Sequence, residues 1–274
     1  MTSGLHTETI WRYEHGHWVA EERPVILEAP FSISVNGQPL ATLLCTPTDL
    51  HALAIGFLLN EELITRIEEI HHIDLRAEGR VADVWLYHDL ALPEQPIRTS
   101  GCTGGLTFHE SAPGDFHLAS DTRLSPEQVP ALMHALIAAG TLYQQARGVH
   151  TSALSDGARL LVVAEDVGRH NTLDKIAGLC QLQGLPTQGR ILLTTGRISS
   201  EMLRKAARMG APILISRTSP TALSLRLARA WGMTVVGYAR AGGFTVYSGR
   251  ERLDTPAPIA PSPVARAETT LIMG

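Results

Sequence analysis

Four arginines of this chain each stand close behind an apolar run typical of a buried strand. They are Arg169, Arg197, Arg217 and Arg240. An arginine presents its N–H donors in a planar fork that matches the oxygens of phosphate and carboxylate groups. Where a helix follows the strand, unpaired backbone N–H groups and the positive end of the helix dipole favour an anion further. These positions therefore predict a site for a phosphate-rich ligand.

The longest of these turns is EDVGRHNTLDK, residues 165–175, which follows an apolar run and leads into helical spacing of apolar residues. Arg169, His170 and Asn171 are its candidate ligand-binding residues. Taken alone, the segment is equally compatible with helix caps at Asp166 and Asn171 and a solvated charge at Arg169. The recurrence of the pattern in three further turns favours the anion site.

The other three arginines lie in turns of the same kind. In one of them Ser219 is expected to cap a helix, with Pro220 as its first residue. In the last, a glycine pair follows the strand and allows a backbone to approach a ligand closely. The predicted ligand-binding residues of these turns are Gly196, Arg197, Ser199, Arg217, Ser219, Tyr238, Ala239, Arg240, Ala241, Gly242 and Gly243.

Strands and helices alternate through residues 125–250. This alternation predicts an α/β fold with a mostly parallel sheet flanked by helices and connected by right-handed crossovers. The carboxyl ends of parallel strands lie at one edge of the sheet, where ligands of open α/β sheets bind. The four arginines should therefore converge there. The first helix of this part should begin at Ser125 and extend to Ala146.

Two further parts complete the predicted organisation. Residues 1–124 predict a smaller α+β part with hairpin turns at Asn36-Gly37 and Glu78-Gly79. Its segment 91–124 is rich in Pro, Gly, Ser and Thr, and loops of that length are usually functional or disordered. Residues 251–274 carry four prolines close together and predict a disordered tail.

Composition excludes several classes of protein. The net charge of −4 argues against a general nucleic-acid-binding protein, so a polyanion site has to come from particular turns. No apolar run has the length of a membrane span, and no secretory signal is recognisable, so the cytoplasm is expected and no membrane contact. Three cysteines without regular spacing make neither a disulfide framework nor a zinc ribbon, and no metal site is predicted.

Cys102 differs from the other two cysteines. It lies in RTSGCTGG, residues 98–105, whose glycines let backbone N–H groups point at a thiolate and let another molecule approach. Arg98 would favour the thiolate form. Cys102 is thus the candidate nucleophile. The alternative is that the segment is only a linker, in which case its cysteine has no function. Cys45 and Cys180 lie in apolar patterns and are predicted to be buried packing residues.

Taken together, these motifs resemble the FdhD/NarQ family of formate dehydrogenase accessory sulfurtransferases, from about residue 41 to residue 248. The matching motifs, in order, are AIGFLL at 54–59, TSGC at 99–102, VH at 149–150, EDVGRHN with DK at 165–175, TGR with Ser199, Glu201 and Met202, and SR at 216–217 with Pro220 and Thr221.

The resemblance implies a cytoplasmic homodimer whose large domain, residues 125–250, is similar in fold to cytidine deaminases. It implies that Cys102 accepts sulfur from a cysteine desulfurase as a persulfide. The sulfur would pass to molybdenum bis-molybdopterin guanine dinucleotide before this cofactor enters the catalytic subunit of formate dehydrogenase. The four arginine turns would hold its pyrophosphates, residues 238–243 would contact it directly, and GDP should mimic its nucleotide.

One departure from the family pattern concerns the cysteine loop. Many members carry C-x-x-C there, whereas this chain has Gly105 at the second position. Mechanisms that need a second loop cysteine are put in doubt, but a single persulfide carrier is chemically sufficient.

Two other functions stay open. A non-catalytic carrier or chaperone of the cofactor could use the same crevice, with Cys102 only a contact. A deaminase-like hydrolase is disfavoured, because its zinc chemistry needs H-x-E and P-C-x-x-C. This chain has His150-Thr151-Ser152 and no C-x-x-C. His150 itself is more typical of a turn histidine than of a catalytic base.

Overall fold

The computed structural model of the chain describes residues 4–90, 97–98, 106–107 and 112–253. The strands are β1 (Leu5–Glu14), β2 (His17–Ile26), β3 (Ala29–Val35), β4 (Gln38–Cys45), β5 (Ile70–Arg76), β6 (Val81–Leu86), β7 (Ile97–Arg98), β8 (Leu106–Thr107), β9 (His150–Ser155), β10 (Leu160–Asp166), β11 (Ile191–Thr194), β12 (Ile213–Ser216), β13 (Thr234–Arg240) and β14 (Gly243–Ser248). The α-helices are α1 (Leu50–Asn60), α2 (Gln128–Ala139), α3 (Thr141–Ala146), α4 (Arg169–Leu182), α5 (Ser200–Arg208) and α6 (Ala222–Ala230).

The largest sheet has six strands in the order β10-β9-β11-β12-β13-β14. Strands β11, β12 and β13 are parallel, and β9 is antiparallel to both β10 and β11, so β10 points the same way as those three. The carboxyl ends of these four strands lie at one edge, which we call the carboxyl edge. The α/β class and the placement of all four arginine turns at one edge are confirmed.

The prediction of a mostly parallel sheet is wrong, because the sheet is mixed. Three of its five neighbouring strand pairs are antiparallel: β10 with β9, β9 with β11, and β13 with β14. Strands β9 and β10 are joined by a short turn, as are β13 and β14, and a connection that short can only produce an antiparallel pair. The further similarity to cytidine deaminases stays a prediction.

Helices cover both faces of this sheet, and alternate strand residues separate the two cores. Leu192, Leu214 and Val235 pack with α4, α5 and α6. Ile191, Ile213 and Val236 point the other way and pack with α2. This period of two is what a strand buried on both faces requires.

The predicted first helix of this part is divided in two. The side chain of Gln128 accepts from the amide of Ser125 (2.7 Å), as expected for a helix start, but α2 ends at Ala139. At Gly140 the backbone leaves helical geometry, and the carboxylate of Glu165 accepts from the amides of Leu142 (2.8 Å) and Tyr143 (2.9 Å). A carboxylate distant in sequence therefore caps α3, and the single helix to Ala146 is wrong.

The smaller sheet has the order β4-β3-β6-β5, and both predicted hairpins, at Asn36-Gly37 and Glu78-Gly79, are confirmed. Helix α1 packs against it and also against α4. A Cβ on Gly56 would lie 1.8 Å from the carbonyl oxygen of Asp174, and one on Gly178 would lie 1.9 Å from that of Ala52. The backbones of α1 and α4 are therefore in direct contact.

Two buried ionic groups join the parts on either side of this contact. Lys175 Nζ lies 2.7 Å from Asp166 Oδ2 and donates to the carbonyl oxygen of Thr46 (3.0 Å), in the loop after β4. Lys205 Nζ donates to Glu61 (2.9 Å), at the end of α1, and to Asp174 (2.8 Å). Although burial by itself lowers the pKa of Lys205, the two carboxylates raise it above its ordinary value.

The chain end is packed as far as the structure describes it. Leu253 is buried and bridges to Leu124, so residues 251–253 belong to the packed part and not to the predicted tail. The remainder of that segment, residues 254–274, lies outside the described residues. The division of the chain at residue 124 stays a prediction.

Replacing Lys175 should expose the dependence of the fold on its ion pair. Lys175→Met leaves the Asp166 carboxylate buried without its counter-ion, so the free energy of unfolding should fall by about 3–5 kcal/mol. Arg159→Met, which breaks a surface pair with Asp156, should change it by less than about 1 kcal/mol. Denaturant unfolding of both variants measures the difference, and equal stabilities would contradict this role.

Candidate functional site

The turn at residues 165–175 holds most of its polar groups inside the protein. Asp166 accepts from the amides of Gly168 (2.8 Å) and Thr46 (3.1 Å). Asn171 Nδ2 donates to Asp166 (2.8 Å) and to the carbonyl oxygen of Leu44 (2.9 Å). The candidate ligand-binding residue Asn171 thus fastens the turn to the end of β4. Arg169, the first residue of α4, is 4% exposed.

Arg169 and Arg197 lie together around His150 at the carboxyl edge. A Cβ on Gly196 would lie 2.8 Å from Cβ of Arg169 and 3.5 Å from Nδ1 of His150, so a glycine is required where the β11–α5 turn crosses α4. Burial, together with the positive charges of Arg169, His170 and Arg197, lowers the pKa of His150 to about 4. These residues form a positively charged group, which we call the His150 group.

A second polar cluster joins His170 to the start of α5. Ser199 caps α5 and donates from its hydroxyl to Glu201 Oε2 (2.6 Å). His170 Nε2 lies 3.3 Å from Ser199 Oγ and 3.6 Å from Glu201 Oε2. Hydrogen bonding with His170 and Ser199 lowers the pKa of Glu201 to about 2, while burial lowers the pKa of His170. Glu201 was not among the predicted site residues, although it is a carboxylate two residues from a predicted one.

Arg217 and Arg240 meet at a cavity of about 210 Å³ on the α2 side of the carboxyl edge. Its other lining residues are Pro130, Met133, His134, Ile137, Ala239 and Ala241. The α2 wall of the cavity is thus apolar apart from His134, and two arginines contribute to the lining. Sequence reasoning missed the α2 residues, whose only signal is their spacing along one helical face.

Tyr143 and Arg147 extend this positive region beyond the predicted residues. Arg147 lies over the Tyr143 ring, 4.7 Å from its centroid. The guanidinium of Arg147 lowers the pKa of the Tyr143 hydroxyl, and Arg217 lowers it further. The four predicted arginines are therefore arranged as two pairs along the edge, Arg169 with Arg197 and Arg217 with Arg240.

The remaining candidates lie in the turns that follow β12 and β13. Ser219 is not the helix cap, because Thr221 and Ser224 form the capping box of α6 and the carbonyl oxygen of Ser219 accepts from Ile198. Strand β13 continues to Arg240, and Ala241 and Gly242 make a hairpin turn back to Gly243. Tyr238 is exposed, with a positive φ of 51° and its amide bonded to Thr218.

Cys102, the candidate nucleophile, lies outside the described residues. The structure does describe the short antiparallel pair β7–β8, in which Ile97 faces Thr107 and Arg98 faces Leu106, so the two ends of the cysteine segment meet. The other two cysteines are buried as predicted. Burial raises the pKa of Cys45 to about 12 and that of Cys180 to about 11, which disfavours a reactive thiolate at either position.

Among the residues that the structure describes, no group of three or more His, Cys, Asp or Glu side chains is arranged to hold a metal ion. No helix in the described ranges is long and apolar enough to cross a membrane.

The His150 group should make the stability of the protein depend on pH. The imidazole of His150 takes up a proton near pH 6.5 in the unfolded chain but only near pH 4 in the folded protein. Its contribution to the free energy of unfolding is therefore complete above pH 6.5 and is lost as the pH falls towards 4. Between pH 7 and pH 5 this loss should be about 2 kcal/mol. In His150→Gln, denaturant unfolding should show a correspondingly smaller difference between the two pH values. His51→Gln, at an exposed position on α1, should retain the full difference. An unchanged difference in His150→Gln would contradict the charge arrangement.

A family model and two named relatives match this chain over most of its length. The family model described as FdhD/NarQ family matches residues 26–254. A relative named "Sulfur carrier protein FdhD" from Staphylococcus haemolyticus (strain JCSC1435) is 35% identical over 255 residues, which cover 91% of this chain and 97% of the relative. A protein of the same name from Bacillus subtilis (strain 168) is 36% identical over 250 residues, covering 89% and 95%.

A solved structure is also similar. It is described as a putative formate dehydrogenase accessory protein from Desulfotalea psychrophila, and it matches with a TM-score of 0.76 and 28% sequence identity. The match covers 91% of this chain and 99% of that protein. The family model spans most of the sequence, and the relatives match along nearly their whole length. This chain belongs to the FdhD/NarQ family.

Proposed function

We propose that the protein is a sulfurtransferase that carries sulfur as a persulfide on Cys102 and delivers it to molybdenum bis-molybdopterin guanine dinucleotide. This sulfuration would precede insertion of the cofactor into the catalytic subunit of formate dehydrogenase. The names of the relatives, sulfur carrier protein and formate dehydrogenase accessory protein, support the sulfur-carrying role. The two arginine pairs at the carboxyl edge support the choice of a phosphate-bearing acceptor.

The cavity between α2 and the β13–β14 turn is the observation that carries the nucleotide part of the proposal. Its volume of about 210 Å³ is below the ~300–1,000 Å³ typical of whole-ligand pockets, so it suits one part of a dinucleotide. Pro130, Met133 and Ile137 offer an apolar wall for a planar base, and Arg217 and Arg240 offer donors for its phosphates. The His150 group, along the same edge, would hold further phosphate groups of the same molecule.

The chemistry at Cys102 is thiol exchange followed by reduction. The Cys102 thiolate attacks the outer sulfur of the donor persulfide, a new S–S bond forms, and the cysteine thiolate of the desulfurase leaves. Delivery of the outer sulfur to the cofactor as sulfide requires two electrons, which a dithiol reductant supplies as it is oxidised to a disulfide. With Gly105 at the second loop position, that dithiol has to belong to another molecule.

A non-catalytic chaperone of the cofactor is the second candidate. The observation that favours it is the carboxyl edge, because nucleotide binding without sulfur transfer would account for the arginines, the cavity and the His150 group. The two functions differ in whether the thiol of Cys102 is needed.

Removing Arg240 should weaken nucleotide binding. Arg240 is exposed and ends β13, so Arg240→Ala should leave the fold intact while removing one charge-assisted contact. Calorimetry with GDP should show a loss of about 1.5–3 kcal/mol of binding free energy. Arg229→Ala, an exposed arginine in the last turn of α6, should bind like the original chain. Absence of GDP binding to the unaltered protein would contradict the nucleotide part of the proposal.

Cys102 should be the only cysteine that gains a transferable sulfur. After incubation with a cysteine desulfurase and cysteine, mass spectrometry should find one reducible adduct of about 32 Da on the Cys102 peptide. Cys102→Ser should abolish this adduct and formate dehydrogenase maturation, yet bind GDP normally. Cys180→Ser, at a buried position, should keep the adduct. If Cys102→Ser still supports formate dehydrogenase maturation, the sulfurtransferase function is wrong and the chaperone function takes its place.

A further inference from the structure

Arg147, which follows α3, has a backbone conformation that is otherwise confined almost entirely to glycine. Its φ is 61° and its ψ is −153°. A side chain in this region costs free energy, and residues held in it are concentrated at ligand-binding and catalytic sites. The next residue, Gly148, also has a positive φ of 66°. An arginine rather than a second glycine at position 147 therefore indicates that its side chain has a role beyond the turn.

The side chain of Arg147 is supported by the ring of Tyr143. The guanidinium carbon lies 4.7 Å from the ring centroid, which is the distance of a cation–π contact. Arg147 is exposed, whereas Tyr143 is partly buried. The ring thus positions the guanidinium at the surface without neutralising its charge.

Arg147 also lies between the two arginine pairs of the carboxyl edge. The Tyr143 hydroxyl is close enough to Arg147 and to Arg217 for both guanidinium groups to lower its pKa. Arg217 in turn lines the cavity of about 210 Å³ together with Arg240. In the other direction, Arg147 precedes His150 by three residues, which span at most ~11 Å of chain. Arg147 therefore connects the cavity with the His150 group.

The positive charge of this region is not neutralised within the part of the chain that the structure describes. There, no carboxylate forms an ion pair with Arg147, Arg217 or Arg240. Arg204, by contrast, is buried and pairs with two carboxylates at 2.6 and 2.7 Å. Three guanidinium groups without a counter-ion favour an anion supplied from solution.

We propose that Arg147 binds the second phosphate of a nucleoside diphosphate unit and thereby makes the site select diphosphates over monophosphates. The inference rests on the proposed function, in which the base occupies the α2 wall and the first phosphate contacts Arg217 and Arg240. The second phosphate then extends along the carboxyl edge, away from the base and towards Arg147. The planar guanidinium offers it charge-assisted hydrogen bonds. The unfavourable backbone conformation is the cost of presenting the guanidinium at this place.

The test compares two nucleotides that differ only in the second phosphate. Calorimetry of the full chain should show that GDP binds at least ~10-fold more tightly than GMP. Arg147→Gln should weaken GDP binding by at least ~10-fold but GMP binding by less than ~2-fold, because only GDP carries the group that Arg147 contacts. Arg229→Gln, which alters an exposed arginine in the last turn of α6, should leave both affinities unchanged.

A second variant separates ligand binding from a role in the fold. Arg147→Gly suits the backbone conformation at this position, so the Tm should stay the same or rise. The preference for GDP over GMP should nevertheless be lost, as in Arg147→Gln. A lower Tm combined with an unchanged preference would show that Arg147 serves the fold, and would overturn the inference.

The outcomes also distinguish this inference from the proposed function. If GDP binding depends on Arg240 but is unchanged in Arg147→Gln, the role of Arg147 is wrong while the nucleotide site stands. An equal loss of GDP and GMP binding in Arg147→Gln would place Arg147 at the first phosphate and contradict the selection of diphosphates. An unaltered protein that binds neither nucleotide would overturn both the inference and the nucleotide part of the proposed function.

Discussion

The buried ammonium group of Lys175 is the interaction on which the arrangement of the site depends. Its Nζ lies 2.7 Å from Asp166 and also donates to the carbonyl oxygens of Thr46 and Glu165 and to the hydroxyl of Thr48. A buried charge costs several kcal/mol unless it is paired and its hydrogen bonds are satisfied. The end of β10, the start of α4 and the loop after β4 therefore have to adopt their positions together. The turn that carries Arg169 and His170 is held as a consequence.

The positive potential of the carboxyl edge results largely from where the acidic side chains go. The chain has a net charge of −4, yet the carboxylates of the 165–175 turn are bonded to partners inside the protein. Glu165 caps α3, Asp166 pairs with Lys175, and Asp174 pairs with Lys205. Arg197 and Arg240 are exposed. An acidic protein can thus present a local anion site, because the carboxylates of this turn face the core while Arg197 and Arg240 face the solvent.

The sequence was most informative where a pattern is local. Apolar runs located β10 to β13, Asn36-Gly37 and Glu78-Gly79 located the hairpins, and the shared strand direction brought the arginine turns to one edge. Such features depend on neighbouring residues, whose periodicity and turn chemistry are visible in the sequence.

The errors arose where a distant group decides the structure. The break at Gly140 depends on Glu165, and the helix cap at Thr221 depends on the contact of Ser219 and Pro220 with Ile198. The α2 wall of the cavity exists only because that helix lies against the end of β13, which no local pattern indicates.

The contact between Gly56 and Gly178 has a consequence for motion. Helices packed through their side chains can slide by repacking rotamers, whereas α1 and α4 touch through their backbones, with buried ion pairs on either side. Hinge or shear movement between the small sheet and the large one would have to separate these backbones and leave the buried charges without their partners. The scaffold should therefore behave as a single rigid unit. Any rearrangement then falls to segments that do not cross this helix pair.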